Sequence, residues 1–492
     1  ERLKALAAEG KIRLRMGTQV QEISEDSVVL CAEDNEDCKL PNDQVFTLIG
    51  REPPLDFFRK SDIPVSGDWT VKTWLGLTGF FALMVFFYHW KAYKPLLGIE
   101  GTNLWQLFAS KNWYPFNLPV LGGEGGLLHT FLTAARNDPG FSFAFLYSVV
   151  IVVFGIRRIR RRRTPYVTRQ TSTLMAIQLI PLFILPYILF PWMYHNGWFS
   201  GGGIGEWFGM TFLSDGQGDE PNQYWRAFGF ILAWPLFIYN IFTEAPIWGW
   251  IVLGFIQTFV IIPLIVWRWG KGAYCGWICS CGAMAETLGD RHRHKMPHGP
   301  FWNKLNMVGQ GILALAFILL ILRIIGWVTP WQGLDRTVAA LVGGNDLLSY
   351  KVLIDLWLAG AIGYGLYFHF SGRVWCRFAC PLAALMHIYA RFSQFRIFPE
   401  KKKCISCNIC TTVCHQGIDI MSFANKGLPM EDPQCVRCSA CVQSCPTGVL
   451  QFGRYDASGA VVYDKLAASA VLMQEAAARS PVDKLFNDSR SS

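Results

Sequence analysis

The chain has 492 residues, of which 52% are hydrophobic, 15% aromatic and 16% charged. This composition is too apolar for one soluble domain of that length and indicates a membrane protein. The formal net charge of +9 does not indicate a nucleic-acid partner, because the basic residues fall in short clusters beside apolar runs and not along one polar face.

Residues 1–68 are soluble in character. They begin with a helix-like stretch, Glu1–Gly10, and continue as short alternating runs that predict strands. These runs are Ile12–Arg15, Val20–Ile23, Ser27–Leu30 and Asp43–Ile49. From the pattern alone, an ordinary small α/β cap and the last part of a larger fold are both open.

The segment Asn42–Pro54 resembles the return from the NAD(P) domain to the FAD domain in thioredoxin-reductase-like flavoproteins. No G-x-G-x-x-G occurs in residues 1–68, so neither dinucleotide site is complete there. The resemblance implies an FAD and NAD(P)H module upstream. Because the chain begins at Glu1 without a signal-like segment, we expect a fragment of a longer protein.

From Val71 onward the chain is dominated by apolar runs. A hydrocarbon core about 30 Å thick requires roughly 20 apolar residues per helix, and seven segments qualify as candidates. They are 71–90, 141–157, 171–194, 226–243, 247–267, 305–327 and 350–370.

The arginine-rich segment Arg157–Arg163 should lie on the cytoplasmic side. This places the loop 91–140 outside and predicts an inner-membrane, multi-pass protein. Seven crossings cannot put both chain ends on the cytoplasmic side. We therefore expect six or eight crossings, with 171–215 irregular because Pro181, Pro186 and Pro191 interrupt it.

Two cysteine groups follow apolar runs, and both contain Cys-x3-Cys after an aromatic residue. The first group has Cys275, Cys279 and Cys281, and the second has Cys376 and Cys380 before Pro381. On a helix, positions i and i+4 share a face, so each thiol pair should converge. Such thiols could bind a soft metal such as Cu(I), hold an iron–sulfur cluster or form redox-active disulfides. Simple packing positions are the alternative. The repeat indicates a duplicated two-span unit, 247–290 and 350–395.

Eight further cysteines form two runs with the same 2-2-3 spacing. Zinc usually takes two Cys-x2-Cys pairs, and disulfides between such close cysteines would be strained. Residues 400–453 resemble two-cluster bacterial ferredoxins, in which the fourth cysteine of each run serves the other cluster. The resemblance implies two [4Fe-4S] clusters. The predicted ligands are Cys404, Cys407, Cys410 and Cys445 for cluster 1, and Cys435, Cys438, Cys441 and Cys414 for cluster 2.

Residues 247–453 resemble the NosR and NapH type of membrane-bound polyferredoxin. The resemblance rests on the paired membrane-edge motifs followed by the ferredoxin runs. Cys376-x3-Cys380-Pro381 fits fully, whereas the first motif has Ser280 in place of proline and the additional Cys281. That family is associated with electron transfer between membrane quinol and redox partners and, in related members, with maturation of copper enzymes.

The predicted fold class is a mainly α membrane protein, a multi-span helical bundle with a two-[4Fe-4S] ferredoxin domain and a short α/β flavoprotein remnant. The predicted regions are 1–68 (remnant), 69–245 (first transmembrane region), 246–398 (polyferredoxin-type core), 399–455 (ferredoxin domain) and 456–492 (helix or tail). The ferredoxin domain should be cytoplasmic, because its clusters require a reducing compartment.

The sequence predicts an oxidoreductase that relays electrons between an NAD(P)H and flavin module and quinone or another membrane acceptor. Its partners would be membrane lipid and quinone or a redox protein. The alternative is a ferredoxin-driven copper reductase or maturation factor that uses the five membrane-edge cysteines. No residue indicates acid–base or nucleophilic catalysis. A redox-driven transporter is disfavoured because charges within the apolar runs are few, Arg323 and Asp355 being the ones to examine.

Overall fold

The computed structural model describes residues 6–12, 18–32, 37–43, 55–63, 69–95, 99, 101–215, 220–329, 332–344, 346–456, 458–464 and 466. The chain divides into two compact units, Glu1–Thr70 and Val71–Ser492. Each unit is described by itself.

The first unit contains a three-stranded antiparallel sheet. Its strands are Thr18–Ile23, Ser27–Ala32 and Asp37–Pro41, paired in chain order. A short helix, Leu55–Lys60, follows. Two of the strand predictions, Val20–Ile23 and Ser27–Leu30, match the sheet. The strand Asp37–Pro41 was not predicted, because its sequence DCKLP lacks β-branched residues.

Other predictions for this unit fall on residues that the structure does not describe. Ile12–Arg15 lies largely, and the segment after Asp43 entirely, outside the described residues. The helix-like start is described only from residue 6 onward, where a short helical turn is present. The flavoprotein resemblance of Asn42–Pro54 falls mostly on undescribed positions and stays a prediction.

In the second unit, five helices among the described residues are long and apolar enough to cross a membrane. In chain order they are called the first to fifth spans. Their bounds are Val71–Ala92, Pro139–Arg162, Pro165–His195, Trp248–Trp269 and Pro300–Val328. The predicted candidates at 71–90, 141–157, 171–194, 247–267 and 305–327 correspond to these helices.

The second and third spans form a tight helical hairpin. Asp138 caps the second span by accepting from the Gly140 N–H at 2.7 Å. Arg163, in a left-handed conformation, ends that span, and Thr164 caps the third. Both helices begin with proline, which has no N–H to lose at a first-turn position.

The third span is continuous although it contains three prolines, Pro181, Pro186 and Pro191, after its first residue. Its middle, Ile180–Leu189, is a wider π-helical segment with Pro186 inside. Pro191 begins the next regular turn. Proline removes an i→i−4 hydrogen bond, and here the helix widens instead of breaking. The predicted irregularity is thus a change of helix type, followed by a separate helix, Gly203–Phe212.

The predicted span 226–243 is wrong. This stretch contains the 3-10 helix Tyr224–Phe230 followed by turns. Its apolar side chains are buried against neighbours: Trp234 and Ile238 are 3% and 1% exposed. Pro235 and the turn chemistry around it prevent a long helix, so apolarity here reflects burial inside the protein.

The last candidate, 350–370, is helical but divided. A π-helical segment, Lys351–Ile362, leads into the short helices Gly363–Gly365 and Tyr367–Phe370. It does not count among the five long apolar helices. The expectation of six or eight crossings therefore stays a prediction, for which this segment is the sixth candidate.

Shorter helices connect these segments. They are Leu104–Ser110, Leu127–Asn137, Gly272–Cys275, Ser280–Thr287, Leu288–Lys295 (a 3-10 helix), Gln332–Gly343, Val374–Phe378 and Pro381–Ala390. After these helices the chain forms a second antiparallel sheet. Its strands are Phe395–Pro399, Leu450–Tyr455 and Val461–Tyr463, paired in chain order. Its first two strands bracket the two cysteine runs, which bear the short helices Ile409–Thr412, Ile420–Lys426 and Ala440–Ser444.

Candidate functional site

The two ferredoxin-like cysteine runs fold their backbone in the same way. Ser406 and Asn408 adopt φ of 55° and 61°, and the equivalent Arg437 and Ser439 adopt 49° and 63°. Positive φ is uncommon for residues other than glycine. Two such residues in each loop curl the backbone so that successive N–H groups and thiols face one centre, an arrangement typical of iron–sulfur sites.

The fourth cysteine of each run lies with the opposite run. Burial and, to a smaller extent, the neighbouring Cys438 raise the pKa of the Cys414 thiol to about 12. Burial likewise raises the pKa of Cys410 to about 11, with Cys445 and Cys407 as its thiol neighbours. The structure thus brings these groups together in a crossed arrangement, and the ligand assignment stays a prediction.

One small cavity is lined by all four thiols predicted for cluster 2. Cys414, Cys435, Cys438 and Cys441 share it with the apolar side chains of Ile397, Ile420 and Phe452. Because four thiols converge in an apolar enclosure, the donor set fits an iron–sulfur cluster. His415 borders the same cavity.

The membrane-edge motifs do not lie on single helices, contrary to the i, i+4 prediction. Cys275 ends one short helix and Cys279 precedes the next, Ser280–Thr287. Likewise Cys376 lies in Val374–Phe378, and Cys380 caps Pro381–Ala390. Each pair converges through a turn between two helices.

The two motifs nevertheless share one local geometry. The Cys279 N–H donates to the Tyr274 carbonyl at 3.0 Å, and the Cys380 N–H donates to the Trp375 carbonyl at 2.9 Å. In each motif, the residue before the first cysteine therefore accepts from the second. This equivalence supports the predicted duplication of a structural unit.

Four membrane-edge thiols meet in one buried apolar cluster. Cys275, Cys279, Cys376 and Cys380 are 4–6% exposed and belong to the same cluster, against which Cys281 packs. Burial raises the pKa of Cys275 to about 12. A hydrogen bond with Cys281 and backbone N–H groups lowers that of Cys279 to about 7. All five are free thiols, a donor set that a thiophilic ion could use.

The ferredoxin-like region is docked directly on the first motif. A Cβ at Gly272 or Gly276 would clash with the backbone carbonyl of Val436, so only glycine permits this approach. Tyr166, which begins the third span, donates its hydroxyl to the Arg437 carbonyl. Backbone contacts therefore hold the second cysteine run against the membrane-edge helices.

The second motif also reaches this region. Cys376 and Cys380 line a small space together with Gln416 and Gln434. Gln416 follows Cys414 by two residues, and Gln434 immediately precedes Cys435. The second motif and residues next to both cysteine runs therefore border the same space.

A buried carboxylate, Glu286, joins the three parts. It accepts from Arg158 of the second span at 2.9 Å, from Arg293 at 2.5 Å and from Arg373 at 2.7 Å. His415 of the first cysteine run lies 3.6 Å away. Glu286 and Arg373 have no solvent exposure, so this network links the span, both motifs and the ferredoxin-like region.

A second carboxylate, Asp290, completes the network. It pairs with Arg293 at 2.9 Å, with Arg162 at 3.5 Å and closely with Arg161. Arg161 and Arg162 belong to the segment Arg157–Arg163, for which the sequence predicted only a role in membrane orientation. Part of that segment therefore neutralises a buried carboxylate at the ferredoxin end of the bundle.

The arginines decide the charge state of Glu286. Burial alone would raise the pKa of this carboxyl, but Arg293, Arg158 and Arg373 together hold it well below its usual range. Burial lowers the pKa of His415 well below its usual value, and Arg293 adds to this effect. Glu286 is thus ionised and His415 neutral at physiological pH.

Glu286, His415 and Cys438 lie close enough to one another to form a metal-binding group. However, three guanidinium groups already satisfy the Glu286 carboxylate, and Cys438 belongs to the predicted cluster ligands. We therefore interpret the trio as part of the charge network.

Sequence reasoning missed Glu286, Arg373 and His415 as parts of the site. Arg373 also donates to the Cys275 carbonyl at 3.0 Å and lies 3.8 Å from the Cys376 sulfur. One sequence signal could have found them. Glu286 and Arg373 are charged residues beside apolar, cysteine-containing stretches, and a buried charge requires a partner.

Two known domain families match the chain. Residues 396–446 match a 4Fe-4S dicluster domain. Residues 248–297 and 356–399 match a 4Fe-4S binding domain, and these two segments contain the membrane-edge motifs. The chain therefore carries 4Fe-4S ferredoxin-type domains. A solved structure that matches the chain was not found.

Several curated proteins are similar over part of the chain. The YccM protein of Escherichia coli (strain K12), named provisionally for electron transport, is 27% identical over 38% of the chain and 51% of its own length. The regulatory protein NosR of Stutzerimonas stutzeri is 28% identical over 30% of the chain and 20% of itself. NirI of Paracoccus denitrificans (strain Pd 1222) is 28% identical over 33% of the chain and 25% of its own length.

The chain thus spans about half or less of these relatives. The similarities support a NosR- and NirI-like, ferredoxin-type group of membrane electron-transport proteins. They confirm that part of the predicted resemblance. None of them covers a flavoprotein fusion, which remains a prediction.

Proposed function

We propose that the protein is a membrane-bound electron-transfer protein that relays electrons between an NAD(P)H and flavin module and a quinone or another membrane acceptor. The flavin part rests on the resemblance of residues 42–54 and would lie upstream. The quinone part rests on the membrane location of the bundle. The ferredoxin-type domain families support the electron-transfer class itself.

The proposed ligands are Cys404, Cys407, Cys410 and Cys445 for one [4Fe-4S] cluster, and Cys414, Cys435, Cys438 and Cys441 for the other. Bound clusters would supply two one-electron carriers. The chain itself holds the thiols in apolar surroundings and fixes their approach to the bundle through Gly272, Tyr166 and Glu286.

One observation carries the proposal. Cys376 and Cys380 share a space with Gln416 and Gln434, which flank the second group of proposed ligands. Electron carriers must be close together to exchange electrons, and this shared space supports a short route between the two thiol groups. A soluble ferredoxin merely tethered to a membrane anchor would not need such close docking.

The proposed orientation puts the ferredoxin-like region in the cytoplasm, on the inner face of a cytoplasmic membrane. Arg161 and Arg162 pair with Asp290 at the same end of the bundle at which Tyr166 contacts Arg437. Positively charged segments favour the cytoplasmic side, and the cysteine runs lie at that end.

The test is anaerobic purification of the chain, followed by iron and acid-labile sulfide analysis and spin resonance after reduction. We expect about eight irons and eight sulfides per chain, as two [4Fe-4S] clusters require. Cys441→Ala should remove one of the two reduced-cluster signals, whereas Cys31→Ala, outside both runs, should remove neither. Zinc in place of iron would refute the proposal.

The second candidate function is a ferredoxin-driven copper reductase or metalloenzyme-maturation factor. It is favoured by the meeting of four buried thiols, with Cys281 beside them, because Cu(I) prefers soft thiolate ligands. Replacing Cys376 and Cys380 with serine should abolish metal reduction and leave electron transfer to quinone intact. Loss of quinone reduction with unchanged metal reduction would favour the first function.

A further inference from the structure

The apolar helices enclose a cavity of about 320 Å³, within the size range of small-molecule sites. Its walls come from the first, second and third spans, from the turn-rich segment 224–239 and from the helix that begins at Lys351. It thus lies among the membrane helices and reaches the first motif at Ser280 and Cys281.

One wall of the cavity is a continuous series of aromatic rings. Tyr364 stacks with Tyr88 at a centroid distance of 5.9 Å, Tyr88 meets Phe143 at 5.3 Å, and Phe143 stacks with Tyr147 at 6.4 Å. All four residues line the cavity. Stacked and edge-on rings favour a flat, unsaturated ligand over a flexible acyl chain.

The cavity also contains polar groups that its apolar walls do not explain. The Tyr239 hydroxyl donates to the Asp355 carboxylate, and the Lys351 ammonium lies 5.9 Å from the Tyr239 ring centre. Lys91 lines the same space and lies 4.5 Å from the Phe143 ring centre. Polar residues within membrane helices are costly and usually serve a function.

Two more groups come from the cysteine motifs. Trp375, 5% exposed, lines the cavity, and its indole N–H has no hydrogen-bond partner among the described residues. Cys281, which the electron-transfer site does not use, lines it as well and is hydrogen-bonded to Cys279. A buried indole N–H normally has an acceptor, so an acceptor from a ligand is expected here.

We propose that this cavity binds the head group of a membrane quinone or quinol. The aromatic wall would hold the ring, the Trp375 N–H and a lysine would donate to its oxygens, and Asp355 would accept from a quinol hydroxyl. This inference rests on the proposed electron-transfer function. The bound ring would lie beside the membrane-edge thiols, and from there it could exchange electrons with the protein.

A phospholipid fits these groups less well. Its phosphate would face the Asp355 carboxylate, and an acyl chain would leave the Trp375 indole N–H without an acceptor. A ring with oxygens at two edges uses both the donors and the carboxylate.

The test measures the binding of decylubiquinone and of menadione to the purified full chain. Saturable quenching of tryptophan fluorescence reports the binding and gives the Kd. Ala359 lines the cavity, so Ala359→Phe should fill it and weaken binding at least about tenfold, a change of one decade in Kd. Ala314→Phe, on an exposed face of the fifth span, is the matched control and should bind as the unchanged chain does. Asp355→Asn should also weaken binding without filling the cavity.

Iron and acid-labile sulfide are measured in the same preparations. If clusters are present and Ala359→Phe still binds quinone with unchanged affinity, the cavity is not the site and this inference fails alone. If iron is absent, the proposed function fails whatever the binding result. Retention of a phospholipid by the unchanged chain, lost only in Ala359→Phe and not displaced by either quinone, would also overturn the inference.

Discussion

Arg373 donates to Glu286 at 2.7 Å, and neither side chain is exposed to solvent. Arg373 lies three residues before Cys376 of the second motif, and Glu286 lies on the helix Ser280–Thr287, which begins directly after Cys279 of the first. The ion pair therefore joins the two halves of the duplicated unit. Arg158 and Arg293 complete the coordination of the same carboxylate.

Replacing Glu286 with glutamine should destabilise the protein strongly. The change leaves three buried guanidinium groups around a neutral side chain, and breaking a buried ion pair costs about 3–5 kcal/mol. Thermal unfolding of the detergent-solubilised protein measures the effect. Glu206→Gln, at an exposed position of the helix Gly203–Phe212, should leave the midpoint within a degree or so of the unchanged protein. Equal midpoints for the two variants would contradict the structural role of Glu286.

The contribution of Glu286 should depend on pH in one direction. Its pKa in the folded protein is well below the usual value, whereas the unfolded carboxyl titrates near about 4.3. Its stabilisation is therefore complete above that value and is lost as the pH falls through and below it. The difference in stability between the unchanged protein and Glu286→Gln should be constant from pH 8 to pH 6 and narrow in acid. A difference that grew on acidification would contradict this assignment.

Replacing Gly272 with valine should loosen the docking of the ferredoxin-like region. The new side chain would overlap the Val436 carbonyl, and overpacking of this kind costs about 1–3 kcal/mol. Limited trypsin digestion near Arg391 and Arg396, which link the two parts, measures the loosening as faster cleavage. Gly311→Val, on the fifth span with open space around its Cβ position, is the control. Identical cleavage rates would show that the close approach does not hold the two parts together.

Arg323 should act as a packing residue and not as part of an ion path. It donates to Asp335 at 3.0 Å and to the Thr243 carbonyl, and thus holds the helix Gln332–Gly343 against the fifth span. Arg323→Met should cost about 1.5–3 kcal/mol, the contribution of hydrogen bonds to a charged group. Thermal unfolding again measures the change. The control is Arg336→Met, at an exposed position of the helix Gln332–Gly343. A stability equal to that of the control would return Arg323 to the functional candidates.

Several features could be read from the sequence because they depend on neighbouring residues. The 2-2-3 spacing of Cys404–Cys414 and Cys435–Cys445 indicates iron–sulfur ligation by local geometry, and the match of residues 396–446 to a 4Fe-4S dicluster domain agrees with that prediction. Apolar length predicted seven candidate spans, and five of them correspond to long apolar helices. The same criterion failed at 226–243, because an apolar run can be buried by protein as well as by lipid, and the prolines and turns there exclude a long helix.

The sequence by itself determined the ferredoxin-type class, the cysteine motifs and most of the membrane helices, since each follows from composition or short-range spacing. Only the tertiary structure decided that Glu286 meets Arg158, Arg293, Arg373 and His415, that Gly272 admits Val436, and that Asp355, Trp375 and Cys281 surround one cavity. These contacts join residues up to 164 positions apart in the chain, which is the separation of Gly272 and Val436. They arise from how the helices pack, and no local pattern encodes the partner of a buried charge.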